Sequence, residues 1–289
     1  PQINVHLNKI MKSWCDFLNS PESLYVLNDG PEGWLSPDAI KYNDLDTTYH
    51  APDRSAPHWG FKSYNEFFHR DISEGARPVD GLGDVSVVNS PNDGVAWAMQ
   101  EDVKAEDSFW LKSQAYSLND MLNNSPFTEH FIGGVVYQTY VNGGADWHRF
   151  TSPIDGTIVG TEIVTGYAWT ESDTVPADPM SGPYSQGWAA GVATRALIFI
   201  DSGDPKLGLV CVVPIGLTEV SSVELFIEEG PVKKGEQLGW FSFGGSSFAL
   251  VVQKGAIKEF LVKPPRHDRN DQPVDTLRAN QQFAIANTE

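Results

Sequence analysis

An α+β fold, with a helical N-terminal layer followed by a mainly antiparallel β body, is predicted by three observations on this 289-residue chain. Apolar residues near its start recur at three- and four-residue intervals, the period of one helix face. From Ser90 onward the texture changes to short β-branched and aromatic runs split by Gly, Pro, Asn and Asp, the punctuation of strands and tight turns. A 40% hydrophobic content at this length is enough to line a substantial core. The expected division is a helical region over residues 1–75 and a β-rich region carrying the chemistry over 76–289.

Taken in order, Leu7, Ile10, Met11, Trp14, Phe17 and Leu18 share one face of a first helix, whose expected role is packing. Ser20-Pro21 and Ser36-Pro37 each set a capping hydroxyl before a proline at the first helical position, and Ser63 with Glu66 forms a capping-box pattern ahead of Phe67 and Phe68. Strands are expected at Val135–Val141, Ile158–Val164, Ala196–Ile200, Leu209–Val213 and Ser222–Ile227. Ser-Pro-x-Asp-Gly occurs at Ser90–Gly94 and again at Ser152–Gly156, each time ahead of an apolar run. The recurrence reads either as two related β units or as common turn chemistry used twice. Lys263–Asn270, with its prolines and charges, reads as a loop before a final short element.

A net charge of −18 gives a field that repels phosphate backbones and the anionic face of a bilayer, so nucleic acid is excluded as a partner and stable membrane anchoring is not expected. No run reaches the ~18 apolar residues of a membrane span. No signal peptide is visible, and a chain beginning at Pro1 is expected to lack its native start. Cys15 and Cys211 lie far apart without CxxC or histidine spacing, which indicates neither a disulfide scaffold nor a metal site and makes a reduced, cytoplasmic setting the expectation. The partner this leaves is a small molecule, with homo-oligomerisation open.

The stretch with chemical content is Phe241-Ser242-Phe243-Gly244-Gly245-Ser246-Ser247-Phe248. Two glycines and two serines between apolar runs read either as a hairpin turn or as a peptide that breaks itself. In the second case the Ser246 hydroxyl attacks the Gly245 carbonyl to give an ester. β-Elimination then leaves a dehydroalanine, which hydrolyses to a pyruvoyl group. Glycine suits the scissile position because, lacking Cβ, it tolerates strained backbone and lets the hydroxyl approach. A pyruvoyl ketone can capture an amine and withdraw electrons from the adjacent carbon, the role an organic cofactor otherwise fills.

Further runs give this motif a context: Phe67-Phe68-His69-Arg70, Gly75-Ala76-Arg77-Pro78-Val79, Ser90-Pro91-Asn92-Asp93-Gly94, Tyr116-Ser117-Leu118, Asp146-Trp147-His148-Arg149-Phe150 and Lys234-Gly235-Glu236-Gln237-Leu238-Gly239. In this order they resemble the landmarks of phosphatidylserine decarboxylases over residues 60 to 262. Gly33-Trp34-Leu35, His58-Trp59-Gly60-Phe61 and Ile215-Gly216-Leu217-Thr218-Glu219 look more like the soluble fungal branch, which includes a tryptophan decarboxylase. The resemblance implies that fold, a carboxy-lyase acting on a small soluble amino acid, aromatic ones included, in fungal secondary metabolism, and a pyruvoyl group derived from Ser246. It also implies that Asp93 orients the maturation machinery and that His148 serves the substrate.

One departure stands out. The family places a second histidine three residues after the first, and that one pairs with the aspartate during maturation; here the position is Thr151. A threonine hydroxyl has no useful basicity at neutral pH, whereas imidazole titrates near 6.5. Either His148, His69 or His130 takes over, or Ser246 stays a serine and the uncleaved pocket does acid-base chemistry such as decarboxylation of a non-amino acid or a cyclisation. Because residues three apart on a strand face opposite sides, His148 replaces the missing imidazole only where the backbone bends. Arg149 and Arg195 are candidates either for a substrate carboxylate or for structural ion pairs. Glu219 reads either as a partner for a substrate amine or as a solvated strand residue. Phe248 breaks the hydrolase elbow, Gly81-Leu82-Gly83 lacks the third glycine of a dinucleotide fingerprint, and no glycosidase carboxylate pair can be placed by spacing.

Overall fold

The computed structural model describes residues 2–106, 116–141, 146–167, 186–216, 222–242, 246–264 and 276–288. Helix α1 (Gln2–Leu18) leads into a 3₁₀ turn over Pro21–Val26, then α2 (Pro37–Tyr42) and α3 (Tyr64–Phe68). The Ser36 hydroxyl caps α2 by accepting from the Ala39 amide at 3.2 Å, and Ser63 caps α3 through the Glu66 amide at 3.1 Å. Ser20 does not cap; its hydroxyl donates back to the Phe17 carbonyl at 2.6 Å. The expected packing face of α1 is buried only at its end. Leu18 joins a cluster with Leu27, Leu35, Tyr64, Phe67 and Trp147, whereas Ile10 and Trp14 are 60% and 44% exposed. The helix meets the 3₁₀ turn and α3, and its first turn reaches the Gly166 carbonyl, to which Asn4 Nδ2 donates at 3.1 Å.

The strands are β1 (Val87–Asn89), β2 (Gly94–Glu101), β3 (Val135–Val141), β4 (Arg149–Thr151), β5 (Gly156–Val164), β6 (Arg195–Asp201), β7 (Leu209–Gly216), β8 (Val223–Leu225), β9 (Gly230–Val232), β10 (Gln237–Phe241), β11 (Ser246–Val252), β12 (Ile257–Phe260), β13 (Thr276–Leu277) and β14 (Gln282–Ala286). Every pairing between these strands is antiparallel. The large sheet runs β13-β2-β3-β11-β7-β6-β5-β9, and two small sheets run β1-β14-β12 and β4-β10-β8. One core fills the space between the large sheet and the small ones, with Val88, Phe150, Phe241, Phe248 and Phe283 among its members. A second core covers the opposite face under α4 (Leu118–Met121) and α5 (Gln186–Val192).

The recurring Ser-Pro-x-Asp-Gly is a structural duplication. The order of the large sheet reads the same from either end once β2 is matched with β5, β3 with β6, β11 with β7 and β13 with β9; the small sheets match in the same way. The second unit, β4 to β10, is inserted between β3 and β11 of the first. Ser90 and Ser152 each donate through the hydroxyl to the carbonyl two residues on, at 2.8 and 2.7 Å. The Asn89 amide donates to the Pro153 carbonyl, and reciprocally the Thr151 amide donates to Pro91. Both first strands of the large-sheet units carry a bulge at the same place, Ala96/Ala98 in β2 and Ile158/Gly160 in β5. Gly235 and Asn280 occupy matching left-handed corners, with φ of 81° and 71°. Each donates its amide to the serine carbonyl of its turn at 2.9 Å.

Candidate active site

Strand β11 starts in the middle of the large sheet, with Ser246 opposite Val141 on one side and Gly216 on the other. Side chains alternate along a strand. Ser246, Phe248 and Leu250 therefore face the small sheets, and Ser247, Ala249 and Val251 face the helices. The two serines differ in their bonding. Ser247 Oγ donates to the Thr139 carbonyl at 3.0 Å and accepts from Gln138 Nε2 at 2.7 Å, while Gln138 Oε1 accepts from the Tyr116 hydroxyl. Ser246 Oγ is buried and makes no hydrogen bond among the described residues. A buried hydroxyl without a partner forfeits roughly 1–3 kcal/mol, which makes its retention informative.

His148 immediately precedes β4, and its carbonyl accepts from the Phe241 amide at 2.8 Å, extending the β4–β10 ladder by one residue. By the same alternation His148 shares a face with Phe150, whose ring lies 5.9 Å from that of Phe248. His148 thus leaves β4 on the side that Phe150 occupies, and its ring meets Phe68 of the N-terminal cluster. The imidazole is fully buried, packs 3.7 Å from the Phe68 ring, and has both nitrogens free of hydrogen bonds. Burial, then the neighbouring Arg70 guanidinium, push its pKa down to about 3, against a smaller opposing pull from the Asp146 backbone carbonyl. It is a neutral imidazole at physiological pH, able to accept a proton.

Asp93 is completely buried, with a full set of partners. Its Oδ2 receives Arg77 at 3.2 Å, Arg278 at 3.3 Å and the Trp147 amide at 3.3 Å, and its Oδ1 receives the Ala279 amide at 2.8 Å. Arg278 also meets Asp146 at 3.0 Å. Thr151 lies on the opposite face of β4 from His148, where its hydroxyl reaches Asn280 Oδ1 at 3.1 Å and the Pro91 carbonyl at 3.4 Å. Both are acceptors, so Thr151 acts there as a proton donor in a structural bond.

Among the other candidates, both arginines are committed to structure. Arg149 spans the His69 carbonyl, Gln237 and Asp71. Arg195 donates to the backbone carbonyls of Met121, Ala193 and Asp120, closing the end of α4, and is not arranged to receive a substrate carboxylate. His69 stacks on Trp240 at 4.6 Å, and burial followed by Arg149 lowers its pKa to about 4. His130 is exposed. Gly245 and Glu219 lie outside the described residues, as do the stretches 142–145 and 217–221 that continue from the two ladder partners of Ser246. A cleft of 490 Å³ between Ile158, Phe226 and Gln237 contains none of the candidate residues. Sequence reasoning missed Arg278, which meets Asp93 across 185 residues of chain with no local signal, and Arg77, which stood inside a quoted run without being assigned a role.

The sequence model described as phosphatidylserine decarboxylase matches residues 64–276, and a second of the same description matches 1–42. The chain belongs to the phosphatidylserine decarboxylase family. It is a carboxy-lyase of that family by its relatives, which are themselves decarboxylases. The decarboxylase iboD of Amanita muscaria is 39% identical over 87% of this chain and 77% of its own length. The L-tryptophan decarboxylase of Psilocybe cubensis is 33% identical over 91% of this chain and 65% of its own length. The phosphatidylserine decarboxylase proenzyme 3 of Schizosaccharomyces pombe is 32% identical over 68% of this chain but 19% of its own length. Among the described residues Asp93 is held by two arginines and two amides. No helix among the described residues is long and apolar enough to cross a membrane.

Proposed function

We propose that this chain decarboxylates a small amino acid of the aromatic class, after converting Ser246 into a pyruvoyl group by breaking the Gly245-Ser246 bond. The observation that carries the reading is the contrast between adjacent hydroxyls: Ser247 is tied at both donor and acceptor positions, and Ser246 is buried and untied. Ser246 meets the demand for a hydroxyl free to attack its neighbouring carbonyl. Thr151 cannot take its proton, so the base falls to His148, held neutral by its burial. When formed, the ketone supplies the electron withdrawal that carboxylate loss requires. His148 then relays a proton to substrate carbon while staying neutral between transfers, and the Phe68 ring against it excludes water.

Substrate class rests on charge and on relatives. A chain of net charge −18 is poorly suited to an anionic lipid surface, and the Psilocybe relatives are named for tryptophan. Carbon dioxide release should be measured across tryptophan, tyrosine, phenylalanine and phosphatidylserine vesicles, with Ser246→Ala as the control. Release from an aromatic amino acid that Ser246→Ala abolishes supports the reading; turnover on vesicles alone contradicts the substrate class, and undiminished turnover by Ser246→Ala contradicts the pyruvoyl route.

A second reading, an uncleaved enzyme using His148 for acid-base chemistry, draws support from the Asp93 carboxylate, whose described partners include no imidazole. Under it, Thr151→His combined with Asn280→Gly, which clears the Thr151 partner while keeping the left-handed corner, should start cleavage at Gly245-Ser246. An uncleaved double variant counts against that account.

A further inference from the structure

The duplicated fold exposes a difference between its units that bears on His148. In the second unit's connection between β9 and β10 Lys234 donates through Nζ to the carbonyls of Gly81 and Asp84, at 3.0 and 2.7 Å, and so ties down the segment that enters β1. The equivalent segment entering β4 contains Asp146, Trp147 and His148, and it is tied down from the equivalent corner of the first unit, by Arg278. There the contact is ionic. One guanidinium nitrogen lies 3.0 Å from Asp146 and 3.3 Å from Asp93, and Asp93 in turn accepts the Trp147 amide. Burial alone would lower the arginine's pKa, and the two carboxylates more than reverse that.

We propose that Arg278 is a positioning residue for His148, acting through Asp146 and through Asp93 and the Trp147 amide. The Asp146 carboxylate is bound to Arg278 while its backbone carbonyl acts on the imidazole. No hydrogen bond joins them among the described residues, yet the negative end of the carbonyl favours the tautomer that turns N–H toward it and leaves the other nitrogen as the proton acceptor. The remaining ionisable neighbours of the ring, Arg70 and His69, both favour the neutral form. Loss of Arg278 therefore frees the Asp146–His148 segment and lets water reach the ring without removing any group that touches it.

This rests on the decarboxylase reading for its functional meaning, and its test does not use activity. The full chain, labelled in its histidines, should be titrated by NMR as wild type, Arg278→Gln and Arg278→Lys. Wild-type His148 is expected to stay in one neutral tautomer to below pH 5. In Arg278→Gln its midpoint should rise by about one pH unit or more with mixing of tautomers. Arg278→Lys, which keeps the charge but reaches one carboxylate at a time, should fall between; it also serves if the glutamine variant does not fold. A His148 midpoint and tautomer unchanged in every folded variant would overturn the proposal. Failure of the decarboxylase reading would show separately, as wild-type protein that releases no carbon dioxide while these shifts persist.

Discussion

The turn at Ser90–Gly94 and the turn at Ser152–Gly156 have the same backbone, the same serine hydrogen bond and the same docking corner, yet their aspartates live differently. Asp93 is fully buried between Arg77 and Arg278, whereas Asp155 is partly exposed, accepts the Lys234 amide at 3.1 Å and pairs at 3.8 Å with Lys233, whose side chain is 81% exposed. The same asymmetry recurs elsewhere. The position matching His148 is Ser86, which merely bonds to Asp84, and β7, the counterpart of β11, has no serine. Duplication supplied the scaffold, and the candidate site occupies the places where the copies diverge.

The largest effect expected is at Ser246. Ser246→Ala should leave the chain whole and abolish carbon dioxide release, while Ser247→Ala should still cleave and lose about 1–3 kcal/mol of stability by removing the hydroxyl to which Gln138 Nε2 donates. If Ser247→Ala blocks cleavage and Ser246→Ala does not, the assignment of the two faces of β11 is reversed. His148→Gln should slow cleavage on the order of a hundred- to ten-thousand-fold, read as the rate at which the chain converts to two fragments, whereas Ser86→Ala should not change it.

The aspartates give the direct contrast in stability. Asp93→Asn leaves two guanidinium groups facing a neutral amide and should cost about 3–5 kcal/mol in urea unfolding. Asp155→Asn should cost under ~1 kcal/mol, as exposed pairs do. Equal costs would mean that the two turns are energetically alike. The pH dependence exceeds the Asp155 effect. His148 and His69 are held at about 3 and about 4 when folded, below the ~6.5 of an unfolded chain. Their stabilisation is complete above pH ~6.5 and declines as pH falls below it, because the unfolded state then binds the protons. The slope approaches ~1.4 kcal/mol per pH unit per histidine, and melting temperatures measured from pH 7 to 5 should fall accordingly.

Much of this fold was legible because its signals are local. The strand at Val135–Val141 was expected with the bounds it has, and the repeated turns left open a choice, duplication or common turn chemistry, that the strand order and ladder registers decide for duplication. The α1 face was misjudged because periodicity says which residues could pack together and is silent on whether a partner lies opposite Ile10 and Trp14. The Asp93 network was out of reach for a related reason: Arg278 reaches it only after the chain has returned through the whole inserted unit. Thr151 shows the reverse case. Its substitution was visible in the sequence, but the Asn280 side chain that meets it was not.

Intact mass under denaturing conditions tests the central claim most directly. If the untied Ser246 hydroxyl breaks its own peptide bond, freshly purified protein should resolve into two fragments, the smaller beginning at residue 246 with a blocked terminus resistant to stepwise degradation. A single species at the full 31.8 kDa that nonetheless releases carbon dioxide from an aromatic amino acid would contradict it.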